Sequence, residues 1–197
     1  RISGAPLSDT FIVTSSDGGT TMTVTISITG ANDAATIAGT TTGGATEDTS
    51  DAAGTATVAD ADTGQDSFTA VSTETASVSG YGTYTITSGG VWAYTLTDSN
   101  SAVQALAASA TMSDTFAVTS SDGGTSQTIT ITITGVNDAV SAGADQTGAV
   151  TEDASATTAT GTVASTDVDS DTLSYEIGTA AGTYGSLAID SAGAWTY

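Results

Sequence analysis

Almost every side chain of this sequence that could take part in chemistry is a carboxylate. The chain of 197 residues contains 22 Asp and Glu, one Lys or Arg, no His and no Cys, which gives a formal net charge of −21. Calcium prefers hard oxygen ligands, usually about six to eight of them, from carboxylates, Asn side chains and backbone carbonyls. Carboxylates packed together with no Lys or Arg to offset them repel one another, so acidic clusters in this chain indicate a bound cation.

The acids recur in three short motifs, Asn-Asp, Glu-Asp and Asp-x-Asp, each of which returns about one repeat later. We predict that they form two calcium sites, one at each junction between repeats. The first predicted site contains Asn32, Asp33, Glu47, Asp48, Asp60, Asp62 and Asp66. The second contains Asn137, Asp138, Glu152, Asp153, Asp167, Asp169 and Asp171, and Asp98 and Asp114 join it. The alternative is that the acids only keep the surface soluble.

Internal repetition dominates the organisation of the chain. Residues 7–34 (LSDTFIVTSSDGGTTMTVTISITGANDA) return about 105 positions later as residues 112–139 (MSDTFAVTSSDGGTSQTITITITGVNDA). YGTYTITSGGVWAY, which begins at Tyr81, likewise returns as YGSLAIDSAGAWTY, which begins at Tyr184. We therefore predict three segments: the end of one repeat at 1–34, a complete repeat at 35–139 and the beginning of the next at 140–197.

The elements that position the acids are predicted to be β-strands. Residues 23–29 and 128–134 alternate Thr with apolar residues, which is typical of half-buried antiparallel strands. Asp17 and Asp122 each precede two glycines between such runs, so we assign them to hairpin turns rather than to a metal site. Short strands at this spacing predict an all-β fold of tandem immunoglobulin-like sandwiches, with about seven strands each. We assign the large apolar residues to the core: Trp92, Tyr94, Phe116 and Ile131.

The order of strands then groups the acidic motifs. In such a sandwich, successive loops alternate between the end where the chain enters and the end where it leaves. Asp60 and Asp62 lie in the predicted B–C loop, at the end where the chain enters. Because Glu47 and Asp48 precede that loop on the entering segment, we expect them at the same end, beside the linker that contains Asp33.

Composition excludes several classes of function. A chain with one Lys or Arg does not bind nucleic acid as its natural partner and does not favour an anionic membrane surface. No apolar run is long enough to insert into a membrane, and no signal peptide is present, so we expect any export signal outside these residues. An enzyme without His, Cys or Lys would need a carboxylate pair in a cleft, as in glycosidases, and these acids are predicted at junctions instead. We therefore predict no enzymatic activity, and the lack of an exposed aromatic cluster disfavours a glycan-binding module.

These residues also carry a family resemblance. YGTYTI, VWAYTL, NSAVQALAA, SDTFAVTSSDGGT and TITITGVNDA resemble the VCBS repeats of giant RTX-type bacterial adhesins, and the TED and DVDSDTLSY segments resemble bacterial cadherin-like repeats. The resemblance covers nearly the whole chain. It implies cadherin-like, immunoglobulin-like sandwiches, secretion to the bacterial cell surface, and calcium at or near the junctions. One departure is that ADADTGQDSF in one repeat corresponds to TDVDSDTL in the next, so the two calcium sites need not be equivalent.

Two functions remain open at this point. The first is a calcium-stabilised module of a long adhesin stalk or biofilm matrix protein. The second is a subunit of a self-assembled extracellular filament or surface layer. For either, we expect end-to-end partners, because residues 1–34 supply the strands that residues 140–197 lack. Residues 9–29 would then complete the sandwich at residues 161–197 of a neighbouring copy, or of a neighbouring repeat in one continuous chain.

Overall fold

The computed structural model describes residues 6–155 and 157–197, and nearly all of its regular structure is β-strand. In chain order the elements are β1 (Leu7–Thr14), β2 (Thr21–Ile28), β3 (Thr36–Gly39), β4 (Thr42–Thr46), β5 (Ala52–Ala59), β6 (Val71–Ala76), β7 (Gly82–Ile86), β8 (Val91–Leu96), α1 (Ser101–Gln104), β9 (Thr111–Thr119), β10 (Ser126–Thr134), β11 (Ser141–Ala142), β12 (Thr160–Thr162), β13 (Ser165–Thr166), β14 (Ala188–Ile189) and β15 (Ala194–Thr196). The predicted all-β, immunoglobulin-like fold of antiparallel sandwiches is confirmed. Among the described residues, no helix is long and apolar enough to cross a membrane.

The chain divides into two compact units. The first comprises the residues up to Ala45, Thr49–Thr97 and Ser113–Ile133, and the second comprises Thr46–Asp48, Asp98–Met112 and Thr134–Tyr197. The second unit therefore gathers the ends of β4 and β10, the segment around α1 and everything after β10. The repeat limits at residues 35–139 stay a prediction.

Two sheets form the sandwich of the central repeat. One has five strands in the order β3-β5-β8-β7-β6, and the other has three in the order β4-β10-β9. The repeat has one strand more than predicted because its first strand is split between the sheets: β3 pairs with β5, whereas β4 pairs with β10. The split follows Gly39, whose φ of 88° lies in the left-handed region that glycine adopts without steric cost.

The pairing of β4 with β10 fixes where the chain goes next. The Thr41 carbonyl accepts a hydrogen bond from Thr130, and the Glu47 N–H donates to the Thr134 carbonyl. Both partners advance in the same direction along the chain, so β4 runs parallel to β10. As a result, β4 carries the chain to the end of the sandwich where β10 leaves it.

An aromatic cluster forms the core of the sandwich in the first unit. The Phe116 ring stacks on Tyr84 with a centroid distance of 4.3 Å and meets Trp92 edge-on at 5.8 Å. The Trp92 indole N–H donates to the Thr40 carbonyl at 2.9 Å, so its polar atom is satisfied as well. The core assignment of the large apolar residues is confirmed, since all are buried: Trp92, Tyr94, Phe116 and Ile131.

Two hairpins with nearly the same sequence differ in their surroundings. Strands β9 and β10 lie in the three-stranded sheet, with their apolar side chains in the core. Strands β1 and β2 pair in register from Leu7 opposite Ile28 to Thr14 opposite Thr21, and every residue of both strands is exposed. Strands β1 and β2 form a two-stranded sheet of their own.

The segment before β9 contains the short helix α1. Asn100 caps α1 by accepting a hydrogen bond from the Ala102 N–H, and Val103 is fully buried. Later in the second unit, two small sheets begin the next sandwich: β11 pairs with β13, and β15 lies between β12 and β14. Trp195 on β15 corresponds to Trp92 on β8 and is also buried.

Candidate metal centre

The first Asn-Asp linker is held by the Asp-x-Asp motif of the central repeat. The Asp33 N–H donates to Asp62 Oδ2 at 2.9 Å, and the Asp62 N–H donates to Asp60 Oδ1 at 2.7 Å. Asn32 donates from its side chain to the Asp33 carbonyl at 2.9 Å and to Asp122 at 3.1 Å. The second carboxylate oxygen of Asp60 is buried without a hydrogen-bond partner.

The second linker repeats this geometry. The Asp138 N–H donates to Asp169 Oδ2 at 2.7 Å, the Asp169 N–H donates to Asp167 Oδ1 at 2.9 Å, and Asn137 Nδ2 donates to the Asp138 carbonyl at 2.7 Å. Here two carboxylate oxygens, Asp138 Oδ2 and Asp169 Oδ1, are buried without a partner. The linker and the Asp-x-Asp loop therefore form one structural motif, which the chain builds twice.

Glu47 and Asp48 join the second motif, so their predicted place in the first is wrong. Both lie in the second unit, whereas Asp33 and Asp62 lie in the first. The prediction failed because it kept the entering segment at the end where the chain enters, whereas β4 runs parallel to β10 and carries Glu47 to the other end.

The Glu47 side chain is fully buried at that end. It accepts hydrogen bonds from the Val136 N–H at 3.0 Å and from Gln104 Nε2 at 3.1 Å. Gln104 also donates to Asp48 at 3.3 Å, and the Asp48 N–H donates to Asp98 at 3.3 Å. Sequence reasoning missed Gln104, which lies four residues after the N-cap Asn100, because nothing in its local sequence indicates a contact with Glu47.

The negative charges around Glu47 are poorly compensated. Burial raises the pKa of Glu47, and the negative charges of Asp138, Asp48 and Asp169 add to the increase, against the lowering effect of the Val136 N–H. Desolvation also raises the pKa of Asp138, together with the charges of Asp169, Asp48 and Asp167. The part of the chain that the structure describes contains no Lys, Arg or His. No positively charged side chain of the described residues therefore offsets the charges of this set of oxygens.

The acidic side chains do not form a complete metal cage. Among residues 6–155 and 157–197, no three His, Cys, Asp or Glu side chains are grouped so that they could hold a metal ion. The chemistry of the donors nevertheless fits a hard cation, since three carboxylate oxygens at the two motifs are buried and accept no hydrogen bond. Backbone carbonyls and Asn oxygens are further ligands that calcium accepts in flexible geometry.

Asp114 has a structural role instead of a place in the second site. Its carboxylate accepts hydrogen bonds from the Ser77 hydroxyl, from the Tyr94 hydroxyl at 2.8 Å and from the Ser79 N–H at 3.0 Å. Burial alone would raise the pKa of Asp114, but these hydrogen bonds and that of Thr115 outweigh it and hold the pKa below its usual value. The carboxylate is satisfied by protein donors, which explains why an acid can lie in the core.

The remaining predicted ligands lie at the surface. Asp66 is exposed, and Asp171 donates its N–H to Asp167 at 3.4 Å. Glu152 and Asp153 are exposed in a turn, and Asp153 has a φ of 58°, close to the 56° of Asp48. The second Glu-Asp pair therefore has the backbone shape of the first, but both of its residues are exposed whereas Glu47 is buried.

The comparisons with known proteins identify one family. Residues 32–135, just over half of the chain, match the family described as bacterial cadherin-like domain. No curated protein matches the chain. Domains of this kind are extracellular modules of structure and adhesion and are not typically enzymes. The match confirms the cadherin-like part of the resemblance, and the VCBS part stays a prediction.

Proposed function

The chain belongs to the bacterial cadherin-like domain family, and on that premise we propose that it is a calcium-stabilised structural module of a long extracellular adhesin stalk or biofilm matrix protein. Each repeat would act as a rigid spacer. The calcium at each junction would fix the angle between one repeat and the next. The terminal adhesive region of such a protein would thereby be held away from the cell surface.

The observation that carries this proposal is the set of buried carboxylate oxygens that have no partner at the linkers. At the second linker, Glu47, Asp138, Asp167 and Asp169 would hold the ion, and at the first linker Asp60 and Asp62 would do so with Asn32 or Asp33. The ion would supply positive charge that the chain itself lacks. Because Asp138 belongs to the linker and Asp169 to the following repeat, neutralising both would stabilise the linker against that repeat.

A matched pair of variants tests the calcium site. Asp169→Asn removes one charge from a carboxylate that is 8 % exposed, whereas Glu74→Gln removes one charge from an exposed position on β6. We expect calcium to raise the melting temperature of the parent and of Glu74→Gln. At a hundredfold excess over Kd, binding should add about 2.7 kcal/mol to the free energy of unfolding. Asp169→Asn should lose most of this increase. Equal loss in both variants, or an equal increase with sodium at the same ionic strength, would show that the acids act only through general charge.

The role as a stalk has its own test. Electron microscopy of the native surface material, with calcium and with excess chelator, should show long stiff rods that become shorter and flexible when the ion is removed. Rods whose stiffness does not change would contradict the calcium junction but not the stalk. Globular particles under both conditions would contradict the stalk.

A self-assembled filament or surface layer is the second candidate. The exposed apolar hairpin β1–β2 favours it, because a surface of this kind is usually covered by a partner. Calcium at the linkers would serve the same purpose in this case. The two candidates differ in whether separate chains associate.

A further inference from the structure

The side-chain amide of Gln104 bridges the two acids of the first Glu-Asp pair. Its Nε2 donates to Glu47 Oε1 at 3.1 Å and to Asp48 Oδ1 at 3.3 Å. Both hydrogen atoms of the amide are therefore directed at carboxylates. Gln104 follows Glu47 by 57 residues, and all three residues lie in the second unit. The contact thus exists because the fold brings α1 to the end of β4.

The backbone after α1 is attached to the beginning of the second linker. The Ser109 N–H donates to the Gly135 carbonyl at 3.0 Å, and the Gly135 N–H donates to the Ala110 carbonyl at 2.9 Å. A Cβ atom on Gly135 would collide with the carbonyl oxygen of Leu106, so the two segments approach as closely as only glycine allows. Main-chain contacts therefore hold Gln104 beside the linker.

The Glu47 carboxylate is held at both of its oxygens. Oε1 accepts the hydrogen bond of Gln104, and Oε2 accepts that of the Val136 N–H at 3.0 Å. The side chain is fully buried, so these two donors fix its orientation. Each oxygen of an ionised carboxylate has about two lone pairs, which leaves room for a further ligand on each. Calcium accepts a carboxylate that presents both oxygens at once.

Neither of these donors carries a charge, whereas the acids around them do. The negative charges of Asp138, Asp48 and Asp169 all act on Glu47. Asp169 is only 8 % exposed, and its Oδ1 is buried without a hydrogen-bond partner. A neutral amide satisfies a carboxylate as a hydrogen-bond donor but does not offset its charge, whereas a Lys ammonium does both. The residue at position 104 therefore decides how much positive charge the chain itself brings to this cluster.

We propose that Gln104 is the positioning residue of the second linker, and that its lack of charge makes this linker depend on calcium. Its amide holds Glu47 and Asp48 beside the linker while their charge stays uncompensated. The ion then supplies the charge. This inference deepens the calcium function proposed above and rests on it. Its consequence is that a positive charge at this one position should replace the ion, whereas loss of the amide donors should weaken binding of the ion.

A matched pair of lysine variants provides the test. Gln104→Lys adds a positive charge beside Glu47, whereas Ala102→Lys adds the same charge at an exposed position of α1. Residues two apart on a helix do not face each other, so the second lysine is directed away from the acids. In calorimetric titration of the whole chain, Gln104→Lys should weaken calcium binding at the second linker about 100-fold and leave the first linker unchanged. Ala102→Lys should bind calcium as the parent does.

A third variant separates positioning from a purely structural role. Gln104→Met keeps the length of the side chain and removes both donors, so calcium affinity at the second linker should fall about 10-fold to 100-fold. In chelator, the melting temperature of Gln104→Met should be below that of the parent, whereas that of Gln104→Lys should be above it. If Gln104 only stabilised the fold, both substitutions would lower the melting temperature in chelator and leave calcium affinity unchanged.

The outcomes distinguish this inference from the function on which it rests. If the parent binds no calcium, the proposed function fails, and the dependence on Gln104 fails with it. If the parent binds calcium and Gln104→Lys binds it as tightly as Ala102→Lys, the function stands and the inference is overturned. A Gln104→Met variant with the calcium affinity of the parent would overturn it as well. The variants should retain the β-sheet circular dichroism of the parent, which separates loss of the site from loss of folding.

Discussion

The hairpins β1–β2 and β9–β10 have nearly the same sequence and opposite environments. Both have the same turn, in which Asp17 accepts the Gly19 N–H at 3.1 Å and Asp122 accepts the Gly124 N–H at 3.1 Å. Only β9–β10 has a sheet and an aromatic cluster to cover. The comparison shows that the two hairpins share their turn, and that their apolar side chains are buried where a sheet lies opposite them.

The acidic linkers show the reverse behaviour, because both copies have the same geometry. The hydrogen bonds from the linker Asp to the Asp-x-Asp loop measure 2.9 Å at Asp33 and 2.7 Å at Asp138. The motif is built from neighbouring segments of the chain, so it forms wherever those segments occur. At the second copy, the buried Glu47 side chain also joins the motif by accepting a hydrogen bond from the Val136 N–H.

The largest predicted difference concerns the matched phenylalanines. Phe116→Ala should destabilise the central sandwich by about 3–5 kcal/mol, because it removes a buried ring and leaves a cavity. Phe11→Ala should change the same unfolding transition by less than about 0.5 kcal/mol, because its ring is half-exposed. Denaturant titration of dilute protein, followed by Trp92 fluorescence, measures both. Similar losses would mean that the hairpin β1–β2 is already packed in the isolated chain.

The next largest difference in stability is predicted for the matched aspartates, Asp114 in β9 and its counterpart Asp9 in β1. Asp114→Asn should cost about 1.5–3 kcal/mol at neutral pH, since it weakens hydrogen bonds to a buried charge. The folded-state pKa of Asp114 is lowered, so its contribution is present above the unfolded pKa of about 3.9 and is lost as the pH falls through the folded value. Asp9→Asn should have little effect. The free energy of unfolding of the parent and of both variants, measured between pH 2 and pH 7, tests this. If Asp114→Asn lost stability at low pH as the parent does, this role of Asp114 would be contradicted.

The contribution of the second linker to stability should depend on pH in the opposite direction. The folded-state pKa values of Glu47 and Asp138 are raised, so in chelator their favourable contribution is present below the unfolded pKa and is lost as the pH rises through the folded values. Calcium should remove this loss at neutral pH. Glu47→Gln should reduce the dependence on pH and on calcium, whereas Glu74→Gln should preserve both. A Glu47→Gln variant that behaves like Glu74→Gln would show that Glu47 does not share the site.

The smallest predicted difference concerns the hairpin turns. Asp17 is held by Ser15 and Gly19, and Asp122 by Ser120 and Gly124, so Asp17→Ala and Asp122→Ala should each weaken their own hairpin slightly and to a similar degree. The additional bond from Asn32 should make Asp122→Ala the more costly change. Hydrogen exchange of β2 and β10 measures the two effects. Loss of calcium affinity in Asp17→Ala would contradict its assignment as a turn residue.

Several features of the site were accessible from the sequence, and others were not. The linker motif could be predicted, because Asp33 and Asp62 occupy positions that recur at Asp138 and Asp169. Asp114 could not be separated from the linker acids, because its type and spacing do not reveal that Ser77 and Tyr94 supply donors from other strands. The same limit applies to Gln104, whose contact with Glu47 joins residues far apart in the chain.

By itself, the sequence determined the strands, the turns, the repeat and the two acidic linkers. These follow from alternation of Thr with apolar residues, from Asp-Gly-Gly turns and from charges that recur at fixed spacing, all of which act over a few neighbouring residues. The tertiary structure decided which end of the sandwich receives Glu47, and which strands supply the aromatic partners of Phe116. Both depend on strand pairing over long distances along the chain, since β4 acquires its direction and Phe116 its partners only when separate strands meet.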